Sequence, residues 1–155
     1  MRRKNQEIID RNVIENILSK SLICRIGMLC DGVPYIVPLN YGYTMNAIYI
    51  HSASEGKKID ILKINNKVCF EIEDTTEIIE KDLSCDWATK YRSLIGYGTV
   101  EIITDFEQKK RGLDIIMAQH GKTVNNGYKE NQVEKIVILK LSIEHVTGKQ
   151  SKNWN

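Results

Sequence analysis

The stretch from Tyr49 to Leu62, YIHSASEGKKIDIL, gathers His51, Ser52, Ser54, Gly56, Lys57 and Lys58 where an alternating apolar rhythm gives way to a helical one. If Ser54 or Ser52 caps a helix that starts there, the first-turn N–H groups near Glu55, Gly56 and Lys57 lack intrahelical partners. With the positive end of the helix dipole they favour an anion. Lys57 and Lys58 add charge, Gly56 lets a ligand approach the backbone, and Ser52 offers a hydroxyl. A phosphate suits that set. The same residues also suit a solvated helix start in which Glu55 neutralises one lysine, and the stretch alone leaves both readings open.

His51 has the opposite parity to Ile48 and Ile50, so it points away from the face those two bury. His120 ends a helical segment and His145 lies late in the last strand, so both read as structural or exposed. Three histidines without shared spacing predict no metal site. The chain has no nucleophile elbow, no GxGxxG and no Walker pattern, which leaves hydrolase chemistry without support.

Two further stretches carry polar or aromatic groups beside strand breaks. In VPLNYGY, Pro38 removes a ladder donor, so it belongs at a sheet edge or a break. The backbone groups freed there, with Asn40, suit a planar polar ligand. In CDWATKYRSLIGYG, Trp87, Tyr91 and Tyr97 supply aromatic surface while Arg92 and Ser93 supply polar contacts. Packing is the plainer use for those aromatics.

The elements that must position these groups follow from hydrophobic period. DRNVIENILSK reads as a helix capped by Asp10, with Val13, Ile14, Ile17 and Leu18 on one face. SLICRIGML and VPYIVPLNYGY read as strands joined by an Asp31–Gly32 hairpin. AIYIHS is a third strand, SEGKKIDILKIN a helix burying Ile59, Leu62 and Ile61, and KVCFEIE a fourth strand reaching in some form through EII. In YRSLIGYGTVEIIT, Gly96 and Gly98 share parity with Leu94, Val100 and Ile102, and glycines inside a strand imply a close approach to its backbone. Thr104 and Glu107 have capping-box spacing before a helix that stops at Gly121. A polar loop, KTVNNGYKENQ, leads to KIVILKLSIEHVTGK, a half-buried strand. About six strands joined mostly by hairpins, with two or three helices, predict a small antiparallel barrel rather than a doubly wound parallel sheet.

The 155 residues suit one domain, 1–155, with a single core. A net charge of +2, from 22 basic and 20 acidic residues, argues against a nucleic-acid partner. MRRK reads as a disordered end, and Lys109-Lys110-Arg111 as a solvated helix face. No apolar run approaches the roughly 20 residues a membrane helix needs, and the start lacks the apolar core of a signal peptide. The four cysteines, Cys24, Cys30, Cys69 and Cys85, form no CxxC pair and read as buried thiols of a cytoplasmic protein.

Taken in order, PYIVPLNYGY, IYIHSASEGKKIDIL, KVCFEIE, YRSLIGYGTVEII and the terminal VTGKQS resemble the flavin-binding split barrels of the pyridoxamine 5′-phosphate oxidase superfamily. The resemblance is to the branch that includes the nitroimidazole-resistance proteins. It implies a mainly β fold, a six-stranded antiparallel split barrel with two to three flanking helices, and a homodimer with FMN at the subunit interface. The backbone from Val37 through Pro38, Leu39 and Asn40 to Tyr41 would face the isoalloxazine ring. His51, Ser52 and Ala53 would lie along the cofactor, and Gly56, Lys57 and Lys58 near its phosphate. Tyr91, Arg92 and Ser93 match the segment such proteins bring to the site, from the partner subunit. The implied activity is reduction of a small organic acceptor, a nitroaromatic among the candidates, with electrons from a nicotinamide donor and His51 as the candidate catalytic residue. The chain ends in TGKQSKNWN rather than in the tryptophan- and arginine-rich segment of true pyridoxamine phosphate oxidases, so vitamin B6 oxidation is not expected. Trp154 is either a cover for the flavin or part of a disordered end. A flavin- or haem-binding module without turnover is the alternative, with His51 or His120 as the haem ligand.

Overall fold

The computed structural model describes residues 4–121, 127–151 and 154; most of MRRK, part of the polar loop and most of the KNWN end lie outside them. Eight antiparallel strands form one sheet that does not close on itself, a split barrel with helices outside it. In chain order the elements are β1 (Glu7–Ile8), α1 (Arg11–Lys20), β2 (Ile23–Cys30), β3 (Val33–Asn40), β4 (Gly42–Thr44), β5 (Ala47–Ala53) and α2 (Lys57–Ile64). Then follow β6 (Lys67–Ile79), β7 (Ala88–Ile103), α3 (Phe106–Gln119), α4 (Glu130–Glu134) and β8 (Ile136–Gln150). The strand order is β3-β2-β6-β7-β8-β5-β4, and β1 pairs with the far end of β8.

The expected strands are all present, and two short ones exceed the expected six. VPYIVPLNYGY divides at Tyr41 because the Tyr41 side chain turns fully into the core, where its hydroxyl donates to the Leu18 carbonyl at 2.8 Å. The Asp31–Gly32 hairpin has the positive φ values, 50° and 78°, that a tight turn between twisted strands needs. A second such turn, at Met45 and Asn46 (φ 48° and 60°), carries no Asn-Gly or Asp-Gly signature. Asn46 is held there from outside, by its side-chain amide donating to the Ile143 carbonyl at 2.8 Å and its carbonyl accepting from Ile143 N at 3.1 Å.

Asp10 caps α1 as expected, accepting from Asn12 N at 2.9 Å, and Ile14, Ile17 and Leu18 are buried. The cap of α3 is Asp105, which accepts from Gln108 N at 2.9 Å, rather than Thr104. The C-terminal carbonyls of α1 are satisfied at a distance: Gln119, at the end of α3, donates to the carbonyls of Leu18 and Ser21 and accepts from Tyr43 N. One amide thereby ties α1, α3 and β4 together.

Lys109 departs from the expected solvated face. It is 5% exposed, its ammonium donating to the carbonyls of Ile136 at 3.0 Å and Glu134 at 3.4 Å, so it closes the end of α4. β8 is half-buried only in its second half; in the first, Ile138 is as buried as Val137 and Leu139 because α3 covers that face. Of the cysteines, Cys24 is buried, Cys30 intermediate, and Cys69 and Cys85 exposed, all four as free thiols.

Two weak acids, the buried Cys24 and the half-buried Tyr43, hold their protons more tightly than usual. Burial, then the charge of Glu71, pushes the Cys24 thiol up to about 12. Burial and the Glu15 carboxylate, which accepts the Tyr43 hydroxyl at 2.7 Å, push Tyr43 up to about 12. The unfolded chain releases these protons nearer their ordinary values of 9.0 and 10.0. Folded-state pKa values raised in this way mean stability that is complete at neutral pH and lost as pH climbs from about 9 towards 12. Urea midpoints are expected to be flat near neutrality and to fall across that window, with Tyr43→Phe making the fall shallower. A wild-type midpoint unchanged up to pH ~11 contradicts this reading.

Candidate functional site

β3 is the terminal strand of the sheet, so Pro38 stands at an edge as expected. Proline cannot donate to β2, so Pro34 and Pro38, opposite Leu29 and Arg25, occupy positions whose N–H would point outward. By the same alternation the outer edge offers the N–H groups of Ile36 and Asn40 and the carbonyls of Pro34, Ile36, Pro38 and Asn40. Across the opening, β3 approaches β5 without pairing. β4 pairs only with Ala47 to Tyr49, so the same edge of β5 is uncovered from Ile50 to Ala53. The two free edges frame the split of the barrel.

His51 is exposed and faces a cleft of about 280 Å³ that Ile23, Pro38, Leu39 and Asn40 also line. Ser52 points the other way and is buried, as strand alternation requires. Val37 and Leu39 turn partly inward, and Ala53 is exposed. Tyr41 is occupied structurally: besides its buried hydroxyl, its N–H donates to the Leu22 carbonyl at 3.3 Å.

α2 begins at the end of this split. Its N-cap is Gly56, at φ 115°, rather than Ser54 or Ser52. No serine side chain occupies the first turn; the Gly56 carbonyl takes the N–H groups of Ile59 and Asp60, and those of Lys57 and Lys58 precede them. A Cβ on Gly56 would meet nothing within 4 Å, so the space above the helix start is open. Lys57 leans towards β3, its ammonium 4.5 Å from the centre of the Tyr35 ring. Lys58 leans towards β5 and donates to Ser52 Oγ at 2.7 Å, while Ser52 Oγ donates to the Ala53 carbonyl at 3.0 Å. Two cations and a helix N-terminus thus stand between the two free edges, a donor set that suits a phosphate.

Tyr91, Arg92 and Ser93 are not part of this cleft within one chain. β2 and β6 lie between β3 and β7, a separation of three strand spacings or about 14 Å. Ser93 instead lines a hollow of about 310 Å³ on the outer face of the sheet, with Ile95, Tyr97, His145, Thr147 and Lys149. Another hollow, about 490 Å³, lies on that outer face around Gly27, Leu29, Ile36, Cys69 and Tyr97. It is apolar and shallow, with Ile36 63% and Tyr97 54% exposed, unlike a site for chemistry. Arg25 pairs opposite Pro38 on the same face, its guanidinium 2.9 Å from Glu71 and 3.2 Å from Glu73. Ile23 and Arg25 were not singled out in the sequence; parity along β2 would have placed both on the face of Pro38 and Asn40. Among the described residues no cluster of histidine, cysteine, aspartate or glutamate could hold a metal ion, and no helix is long and apolar enough to cross a membrane.

Residues 10–150 match the protein family described as pyridoxamine 5′-phosphate oxidase. A solved structure from Bacteroides thetaiotaomicron, named as a candidate 5-nitroimidazole antibiotic resistance protein, is 32% identical with a TM-score of 0.83; the alignment covers 93% of this chain and 86% of that one. The FAD and haem binding protein of Mycobacterium smegmatis superposes with a TM-score of 0.84 at 19% identity, over 96% of this chain and 75% of that one. An uncharacterised protein of Rhizobium meliloti (strain 1021) is 30% identical over 67 residues, 43% of this chain and 44% of that protein's length.

Proposed function

The chain belongs to the pyridoxamine 5′-phosphate oxidase family, and from that premise we propose that it is an FMN-dependent oxidoreductase acting on a small organic acceptor. The observation that carries the reading is the start of α2. Gly56, Lys57 and Lys58 put open space, two ammonium groups and a helix N-terminus beside the split. Those residues fit the phosphate of FMN. The outer edge of β3, with the N–H groups of Ile36 and Asn40, the carbonyls beside them, and Pro34 and Pro38 to prevent strand addition, fits the polar rim of a planar ring. The 32% identity to a candidate nitroimidazole-resistance protein supports a nitroaromatic among the acceptors.

The chemistry that FMN supplies when bound is transfer of one or two electrons between a nicotinamide donor and an acceptor. The protein's part is to bind, orient and exclude. Lys57 and Lys58 hold the phosphate end, the β3 edge sets the plane of the ring, and Ile23 and Pro38 wall the cleft against water. His51, exposed into that cleft, hydrogen-bonds the acceptor and supplies a proton to it. A second copy completes the site. Tyr91 to Ser93 cannot reach the cleft of their own chain, and the exposed Leu29, Ile36, Ile95 and Tyr97 make an apolar outer face suited to a homodimer. A domain spanning 1–155 in the cytoplasm fits this reading.

An absorbance spectrum of freshly purified protein tests the proposal. Flavin maxima, with FMN released on heating, are the expected result. A colourless protein that also fails to bind added FMN overturns it. A Soret band would instead support a haem-binding module with His51 or His120 as ligand, the reading favoured by the shared fold with an FAD and haem binding protein.

A further inference from the structure

Past the end of β8, Ser151 and Trp154 both bond to β7. Ser151 N donates to the Tyr91 carbonyl at 3.0 Å, and Ser151 Oγ accepts from Tyr91 N at 3.4 Å. Trp154 then donates its indole N–H to the same Tyr91 carbonyl at 2.9 Å. Its ring lies 3.8 Å from the Arg92 guanidinium and 4.8 Å from the Lys90 ammonium. Arg92 is held from a second side as well, Nε donating to Gln150 Oε1 at 3.1 Å. A surface arginine on a strand ordinarily samples many rotamers, and ordering it for a ligand opposes binding. Here one face of the guanidinium is stacked and one nitrogen bonded, while the two terminal nitrogens make no hydrogen bond among the described residues.

We propose that Trp154 is a positioning residue that pre-orders Tyr91 and Arg92 for the cofactor. The proposal rests on the reading of Tyr91 to Ser93 as part of the flavin site. Trp154 does not itself touch the cofactor; it removes the rotamer freedom of Arg92 before the cofactor arrives and holds the Tyr91 carbonyl, so that binding loses less entropy. A tryptophan that merely docked the chain end would raise thermal stability and leave FMN affinity alone.

The experiment is an FMN titration by flavin fluorescence, with apo thermal unfolding alongside, on the full-length wild type, Trp154→Ala, Trp154→Phe, Arg92→Ala and the Arg92→Ala/Trp154→Ala double variant. Trp154→Ala is expected to weaken FMN binding about five- to tenfold. Trp154→Phe, which keeps a ring on the guanidinium, should recover most of that loss. In the double variant the two losses should fall well short of adding, because most of what Trp154 does runs through the Arg92 side chain. Unchanged affinity in Trp154→Ala, or losses that simply add in the double variant, would overturn the proposal. If Arg92→Ala weakens binding and Trp154→Ala does not, the positioning role fails while the flavin site stands. If the wild type binds no FMN, or Arg92→Ala binds as the wild type does, both fall together.

Discussion

Replacing Lys57 and Lys58 together with alanine is expected to weaken FMN binding about a hundredfold or more, with little effect on riboflavin. A charge-assisted hydrogen bond contributes about 1.5–3 kcal/mol. Two of them at one phosphate therefore correspond to about 3–6 kcal/mol, and each 1.4 kcal/mol is tenfold in affinity. Neither lysine carries the fold. Lys57 is exposed and rests on the face of Tyr35, and Lys58 makes its bond to Ser52 at the rim of the split. Beneath them Ile59, Ile61 and Leu62 keep α2 packed, so the apo unfolding temperature should move by only a few degrees. Parallel titrations with FMN and riboflavin check the prediction. A double variant that still prefers FMN as the wild type does would remove the phosphate from the start of α2.

The largest expected loss of stability comes from Gly98→Ala, about 3 kcal/mol, read as a lower urea midpoint at unchanged slope. Gly98 sits where the pairing of β7 with β8 shifts register, between Tyr97 and Gly98. A Cβ there would run into the Ser142 carbonyl oxygen of β8 and come within 3.0 Å of Leu141 Cδ1. Backbone in the middle of a two-sided ladder has nowhere to move. Two residues earlier on the same strand, Gly96 meets a different obstacle: a Cβ would enter the ring of Phe70 from β6 and come within 2.7 Å of the His145 carbonyl oxygen. The Phe70 ring can tilt, and the His145 carbonyl stands farther off than the Ser142 carbonyl does from Gly98, so Gly96→Ala is expected to cost about 1–3 kcal/mol, less than Gly98→Ala. A Gly98→Ala protein within about 0.5 kcal/mol of wild type would mean that the two central strands part freely there. The close approach that strand glycines implied is thus made by the protein's own Phe70 and β8.

Local chemistry was legible wherever the cause was local. Asp10 ahead of an apolar helical stripe, Asp31–Gly32 between two alternating runs, and Gly121 after α3 each settle their own backbone by side-chain reach or positive φ. The Gly-Lys-Lys start of α2 was legible for the same reason, although its cap moved from serine to glycine. Where the cause was a distant partner, the chain gave no signal. The Met45–Asn46 turn depends on Ile143, the burial of Lys109 on carbonyls from Glu134 and Ile136, and the joining of α1 to α3 on the single amide of Gln119. The exposure of Cys69 follows from its place opposite Gly27 on an uncovered sheet face.

By itself, then, the order of residues determined an antiparallel barrel, its edge proline, and a helix start with the donors for an anion. Only the tertiary structure decided which strand edges are left free to face each other and how far the Tyr91 segment lies from His51. Strand alternation says which way each side chain points, but not which strand lies beside which. Sheet order is set by pairings between residues far apart in the chain, such as Arg25 with Glu71 or Tyr97 with His145, and these exist only once the barrel has assembled.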